Sequence, residues 1–357
     1  QILSIIDDPE EYNRLARGIS DIDFKSTKLM ADEFDRLYRS TLLNHRQTKK
    51  KRALRSIALF TPHPGKHGYP ASSYIRTLLP LSHPLLSESF HTRVIGTAKL
   101  HPTDIETRIL KRDTDIDLIQ RDALPPDHVD AVSDVCRRKK IPLIFEIDDA
   151  LLSIDQSHPE FQHYRQKLPM IEKLYHCADL VTVSTPELHD TKIRTAGRVE
   201  VIGNCLDENL WFTNHEGPTR ADRNSILRVG YMGTISHSND LQIVADVFEE
   251  VRATLKKLHD IKLEFHLIGG MRDIKGAPSW YQRVHIPPDC REYPRFVRWL
   301  RNTLDWHIAV APLADNRLNA SKSEIKYLEY AALGLPGIYS SVGAYKNVIE
   351  HGRTGLL

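Results

Sequence analysis

No apolar run in the sequence approaches the ~20 residues of a membrane-spanning helix, and nothing near Gln1 has the shape of a signal peptide. We therefore expect a chain that does not span a membrane. Cysteine is scarce: Cys136, Cys177, Cys205 and Cys290 stand singly with no C-x-x-C pair, which argues against a zinc site or a disulfide framework and fits a reducing cytoplasm. His101, His158, His163 and His285 form no H-E-x-x-H or other ligand spacing, so they read as ordinary surface or core residues and no metal is expected. A strong charge imbalance is missing too, since 49 basic and 47 acidic residues leave +2. Six of the cations (Arg46, Lys49, Lys50, Lys51, Arg52, Arg55) fall between His45 and Arg55 with no acid among them, and the 43 basic against 47 acidic residues elsewhere give −4. A chain mildly acidic outside one basic run is not a general nucleic-acid binder. That run reads either as a solvated linker or as a patch that meets an anionic membrane surface.

With 41% apolar and 27% charged residues over 357 positions, the sequence excludes disorder, collagen and coiled coil, and has room for two domains with a cleft. A start at Gln1 and a stop just after a turn signal lead us to expect trimming at both ends. Residues 1–54 read as an appended helical arm, because Met30, Phe34, Leu37, Tyr38 and Leu42 recur at i, i+4, i+7, i+8 and i+12. From Ser56 short apolar runs alternate with amphipathic stretches. Residues 56–61, 92–96, 116–120, 142–147, 180–184 and 199–202 read as buried strands with helices in most of the gaps. Residues 207–225 are polar, contain Gly217 and Pro218 and read as a linker. The alternation then restarts, with strands at 226–232, 263–268, 306–312 and 337–340, and helices at 241–258, 294–301 and 322–333. The expected fold is α/β: two Rossmann-like domains, 55–206 and 226–357, with parallel sheets facing a cleft. Ligands of such sheets sit beyond the carboxyl ends of the strands.

The richest segment is N-A-S-K-S-E-I-K-Y-L-E-Y-A-A-L-G-L-P at 319–336. Ser321 followed by Glu324 makes a capping box, so a helix is expected to start at Ser321 with free N–H groups aimed into the loop. Lys322, Lys326 and Glu329 then share one helix face. A helix start flanked by two lysines suits a diphosphate, and a carboxylate two turns along suits a ribose diol. The plainer alternative is a surface pair of Lys326 and Glu329. In G-Y-M-G-T-I-S-H-S-N-D-L at 230–241, Gly233 allows backbone to approach a phosphate, and Thr234 and His237 can donate to one, with Ser238 or Asn239 capping the next helix. A tight turn alone also explains the glycines. In the first domain, Gly65, Gly68 and Ser72 of the loop after the first strand allow close approach of a substrate, or simply mark a flexible loop. Asp148 and Asp149 stand at the end of the fourth strand, where either can orient an acceptor hydroxyl or act as its base, or both can be a solvated pair. Reading Glu146-x-Asp148 as a degenerate D-x-D metal site leaves the second α/β unit without a role. The rings of 294–299 and Trp306 read as core, with one open to a nucleotide base.

The pattern K-x-x-E-Y-x-A-x-G-x-P, filled by Lys326, Glu329, Tyr330, Ala332, Gly334 and Pro336, resembles the donor-binding segment of GT-B glycosyltransferases, especially the family-four-like bacterial enzymes. Gly352, Thr354, Gly355 and Leu356 match the H-G-x-T-G-L-L ending of that group. One position departs: Ser321 stands where the first glutamate of the family's E-x7-E pair, which contacts the donor sugar, is usually found. The resemblance implies a GT-B, hexosyltransferase-type enzyme of cell-envelope polysaccharide synthesis. It would move a sugar from a nucleoside diphosphate sugar to a glycan or lipid-linked acceptor, with retention and without a metal or other cofactor. It also implies donor contacts by Ser321, Lys322, Ser323, Lys326, Glu329 and the Gly233 loop, with Lys326, Asp148 and Asp149 catalytic. The loop with Gly65, Gly68 and Ser72 would meet the acceptor. Work in the cytoplasm, peripheral to the inner membrane face or to a partner through residues 1–55, completes the expectation. A GT-B-like sugar-nucleotide epimerase and a non-catalytic module of a larger synthesis protein are the alternatives.

Overall fold

The structure, a computed structural model, describes residues 1–44, 54–97, 101–110, 114–189, 197–213, 225–269 and 281–357. Apart from Arg55, the basic run lies outside them. The apolar runs become strands β1 (Arg55–Phe60), β2 (Phe90–Val94), β3 (Ile116–Gln120), β4 (Leu143–Ile147), β5 (Leu180–Val183) and β6 (Arg198–Val201). They pair in the order β2-β1-β3-β4-β5-β6, all parallel. A second parallel sheet holds β7 (Ile226–Gly233), β8 (Lys262–Gly269), β9 (Tyr281–Arg283), β10 (Ile308–Ala311) and β11 (Gly337–Tyr339) in the order β11-β10-β7-β8-β9. The protein is thus α/β with two Rossmann-like sheets, the architecture expected of GT-B. Only β9 has no counterpart in the sequence reading, because Tyr-Gln-Arg carries no apolar run.

The central strands of both sheets are buried on both faces, which is why they read as nearly continuous apolar runs, while the edge strands β2, β6 and β9 are partly exposed. In the first, Phe60, Ile119, Phe145 and Val183 fill one side and Ile57, Leu59, Leu118 and Ile144 the other. The stripe of Met30, Phe34, Tyr38 and Leu42 lies in α3 (Thr27–Asn44) and is buried against that second side. The helices before it, α1 (Ile2–Asp7) and α2 (Pro9–Ser20), bury Ile5 and Leu15 against Leu227, Val229 and Leu263 of the other sheet. Residues 1–44 therefore cover one face of each unit, so their apolar stripe is occupied within the chain. The start of the expected linker also packs: Leu210 and Trp211 join the core with Trp306, while 214–224 lie outside the described residues.

Strand order reverses between β1 and β3 in the first sheet and between β7 and β10 in the second. Those two switch points are where such sheets open a crevice at their carboxyl ends. The β7 end depends on Gly230, where a Cβ would come within 1.9 Å of the fully buried Trp306 ring. Gly230→Ala is expected to cost about 1–3 kcal/mol by overpacking, read as a lower denaturant midpoint; an unchanged midpoint would show that the indole can shift.

Candidate active site

The segment expected to open as a helix at Ser321 does not. Arg317–Ala320 forms one turn capped by the Asn316 side chain, Ser321 follows it and donates its hydroxyl to the Leu318 carbonyl, and the next helix spans Ile325–Ala332 without a side-chain cap. The capping box fails because residues 321–323 are held from the first unit. Thr185, after β5, donates to the Ser321 carbonyl at 2.9 Å; Asn204, after β6, donates to Ser323 Oγ at 2.6 Å; and Lys322 reaches Asp149, after β4, at 3.4 Å. Three consecutive residues are thus tied to three strand ends across the cleft. Lys322 leaves the helix, and only Lys326 and Glu329 remain on it.

Lys326 is part-buried, and its ammonium donates to His237 Nε2 at 3.2 Å and lies 5.9 Å from the centre of the Tyr231 ring. Among the described residues it makes no ion pair. The other ring nitrogen, His237 Nδ1, is 2.8 Å from Asp240 Oδ2. Bonds from the Ala314 amide and the Asn319 side chain, both 2.8 Å, hold Asp240 Oδ1. Against burial, the His237 bond and these donors keep the Asp240 pKa low, so it accepts, His237 Nδ1 carries the proton, and Nε2 offers a lone pair to Lys326. Burial, then Lys326, pushes His237 down to about 3, so it stays neutral. Burial, then Lys322, lowers Lys326 to about 8. Burial raises Glu329 to about 7, opposed by Lys326 and by a hydrogen bond from Tyr293, whose oxygen in turn accepts from Trp211 Nε1 at 3.3 Å.

The remaining expected residues divide. Thr234 is exposed and its hydroxyl pairs with Ser236. A Cβ at Gly233 would meet the Tyr231 hydroxyl at 2.3 Å, so that glycine makes room for a side chain of its own strand. The next helix runs Ser238–His259 and is capped by neither Ser238 nor Asn239; its N-cap is His237, which ends a 3-10 turn. Arg121 binds Asp148 and, at 2.9 Å, Asp149, and donates to the Tyr164 hydroxyl at 3.0 Å. Against burial, Lys322 and Arg121 hold the Asp149 carboxyl well below the usual range, which makes it a poor base at neutral pH and a good anchor for Lys322. Glu146 is fully buried in an ion pair with Arg76 at 2.7 Å, which removes the degenerate D-x-D reading. Among the described residues no group of three or more His, Cys, Asp or Glu is placed to hold a metal ion. Gly65 and Gly68 face the second unit, whereas the Ser72 carbonyl is bonded by Gln120 at 3.0 Å within the first.

Arg121 and Asn204 carry much of this geometry from outside the segments singled out in the sequence, and Asp240 and Asn319 carry it from within them with no role expected of either. One signal exists in the backbone: Arg121 has φ of 49°, a strained value for a residue with a side chain, at the end of β3.

Residues 226–357, 132 of the 357, match the family model described as Glycosyl transferases group 1. The match covers the second unit and leaves the first outside it. Glycosyl transfer, in general terms, is the activity this match supports, and the resemblance of the Lys326 to Pro336 segment falls within the matched residues. No curated protein matches the chain. Two solved structures are similar at low identity. A UDP-GlcNAc 2-epimerase from Methanocaldococcus jannaschii, in complex with UDP-GlcNAc and UDP, is 14% identical with a TM-score of 0.36, over 80% of this chain and 83% of that one. The glycosyltransferase SnogD from Streptomyces nogalater is 13% identical with a TM-score of 0.31, over 82% and 84%. No helix among the described residues is long and apolar enough to cross a membrane.

Proposed function

We propose that the protein moves a hexose from a nucleoside diphosphate sugar to a glycan or lipid-linked glycan acceptor, with retention, in the cytoplasm at the inner face of the membrane. The observation that carries this reading is Lys326: a part-buried ammonium at the β7 and β10 switch point, supported by a neutral histidine and an aromatic ring but, among the described residues, by no carboxylate within ion-pair distance. A desolvated cation without a counter-ion is a seat for an anion. Lys322, four residues earlier in the loop before the helix and tethered loosely to Asp149, supplies a second charge, and Ser321 and Ser323 supply polar groups beside it. The leaving diphosphate would be stabilised by these two lysines, the work a bound divalent ion does elsewhere, so no metal is called for. Glu329 would hold the ribose diol, and Gly233, Thr234 and His237 would flank the phosphates. Asp148 and Asp149, fixed by Arg121, would orient the acceptor and Lys322 rather than take a proton.

The test is a calorimetric titration of the wild type and Glu329→Ala with UDP, GDP, ADP, TDP and CMP, with chelator present. One diphosphate should bind the wild type and fail on the variant; no binding by any nucleotide would overturn the reading. Turnover of the donor sugar nucleotide without acceptor would instead indicate an epimerase.

Charge on Lys326 makes that binding depend on pH. Below about 8 the ammonium is present; above it the charge is lost, so affinity should fall by up to about tenfold per pH unit above 8. Lys326→Met should flatten the profile between pH 7 and 9.5, and a fall of equal slope in the variant would assign the proton elsewhere.

A further inference from the structure

A cleft of about 420 Å³ lies between the first unit's glycine loop and the start of the second unit's helix Tyr293–Thr303. Gly65 and Gly68 exchange backbone hydrogen bonds of 3.0 and 3.2 Å, which places Lys66 and His67 at the tip of a two-residue turn. Gly68 has φ of +88°, and a Cβ there would come within 2.7 Å of Glu292 Oε1, so the turn is pressed onto the second unit. From the opposite side Arg291 Nη1 donates to His67 Nε2 at 2.9 Å. A guanidinium only donates, so His67 Nε2 is the acceptor in this contact, which holds the Arg291 head at the mouth. Lys66 is exposed and, among the described residues, has no ion pair. The rings of Tyr69, Tyr293 and Phe296 line the cleft, and no described carboxylate does. Glu292, the neighbouring acid, accepts the Tyr74 hydroxyl instead. Tyr293 also bonds Glu329, so the cleft adjoins the seat of the donor.

We propose that this cleft is the acceptor subsite and that the acceptor carries an anionic oxygen group beside its sugar ring. The inference rests on the transferase reading above and adds the class of acceptor. Lys66 and Arg291 hold the anion, the guanidinium through paired N–H groups, and the rings of Tyr69 and Phe296 take the apolar face of the sugar. Two sources share this chemistry: the carboxylate of an acidic sugar and the diphosphate of a lipid-linked glycan.

The experiment titrates wild type and the Lys66→Glu/Arg291→Glu double variant with p-nitrophenyl β-D-glucuronide, its neutral glucoside and farnesyl diphosphate. Each titration is run with the donor seat filled by saturating UDP, and UDP alone is titrated into both proteins. At least one anionic probe should bind the wild type about tenfold more tightly than the glucoside, roughly the worth of one good charge-assisted contact. The preference should shrink in 0.5 M salt and vanish in the double variant, while UDP affinity stays within about twofold. Glucuronide alone points to an acidic sugar, farnesyl diphosphate alone to a lipid diphosphate. Equal binding of the glucoside, or an anion preference that survives both charge reversals, would overturn the proposal. Failure of UDP on both proteins would move the donor seat to another of the nucleoside diphosphates, failure of all of them would sink the transferase reading, and the glucuronide against the glucoside would still decide the anion preference of the cleft.

Discussion

Replacing Lys326 by methionine is expected to lower sugar transfer about 10²- to 10³-fold and to leave the protein as stable as before or slightly more so. The two halves of that expectation have one cause. In the free protein the ammonium is desolvated enough to bring its pKa down to about 8, and its partners are a neutral imidazole and the Tyr231 ring. Folding therefore gains little from the charge, and an apolar chain of similar length fills the same space. In the reaction, negative charge grows on the leaving diphosphate, and a preorganised cation in a partly dry site is worth far more there than in water. Arginine cannot replace it well, because the acceptor on this side is a single His237 nitrogen rather than a carboxylate with two oxygens. Rates under single turnover and a thermal melt of the same preparation measure both halves. A Lys326→Met protein that melts early and is inactive would be merely unfolded. One that melts normally and transfers normally would remove Lys326 from the mechanism.

The sheets were legible because parallel strands buried on both faces must be runs of apolar residues, and that burial is complete in β3, β4, β5 and β10 and not in the edge strands β2, β6 and β9. The helix Ile325–Ala332 was legible in type and in its Lys326 and Glu329 face. Its start was not: Ser321-x-x-Glu324 is a sound local signal, but Thr185, Asn204 and Asp149 make better offers to residues 321–323 than an additional helical turn does. Local propensity yields to tertiary contacts of that kind. Asp148 and Asp149 were placed rightly at a strand end, yet the arginine that governs them comes from another strand and carries no pattern. Asp240 was hidden for a similar reason. It sits in the first turn of a long helix, where an acid is ordinary, and only the fold brings the Ala314 amide, Asn319 and His237 around it.

Arg76→Leu is expected to destabilise the protein by about 3–5 kcal/mol, because it strands a carboxylate in the interior. Arg76 and Glu146 are both fully buried; the guanidinium also bonds the Ile202 carbonyl at 2.6 Å and Asn204 Oδ1 at 2.9 Å. The pair is not perfectly matched, since among the described residues Arg76 Nη2 and Glu146 Oε2 have no hydrogen-bond partner, and burial lifts Glu146 to about 7 even beside the arginine. Its folded pKa lies above the ordinary 4.5, so the stability linked to it is whole below 4.5 and lost as pH rises through about 7. Without Arg76 that loss moves to higher pH and deepens, and the variant should be weaker at pH 8 than at pH 6. Arg76→Leu/Glu146→Leu removes both charges and should recover most of the stability, as buried pairs replaced by apolar residues commonly do. Transfer should not recover with it. Asn204 is held by Arg76 on its oxygen and holds Ser323 by its nitrogen at 2.6 Å, so an apolar core folds well but leaves the loop at 321–323 untethered. If the stable double variant transfers sugar at the wild-type rate, the line from Glu146 through Arg76 and Asn204 to Ser323 is structural only. If it is stable and slow, and Asn204→Ala alone is equally slow, the buried pair is there to place the loop that meets the diphosphate.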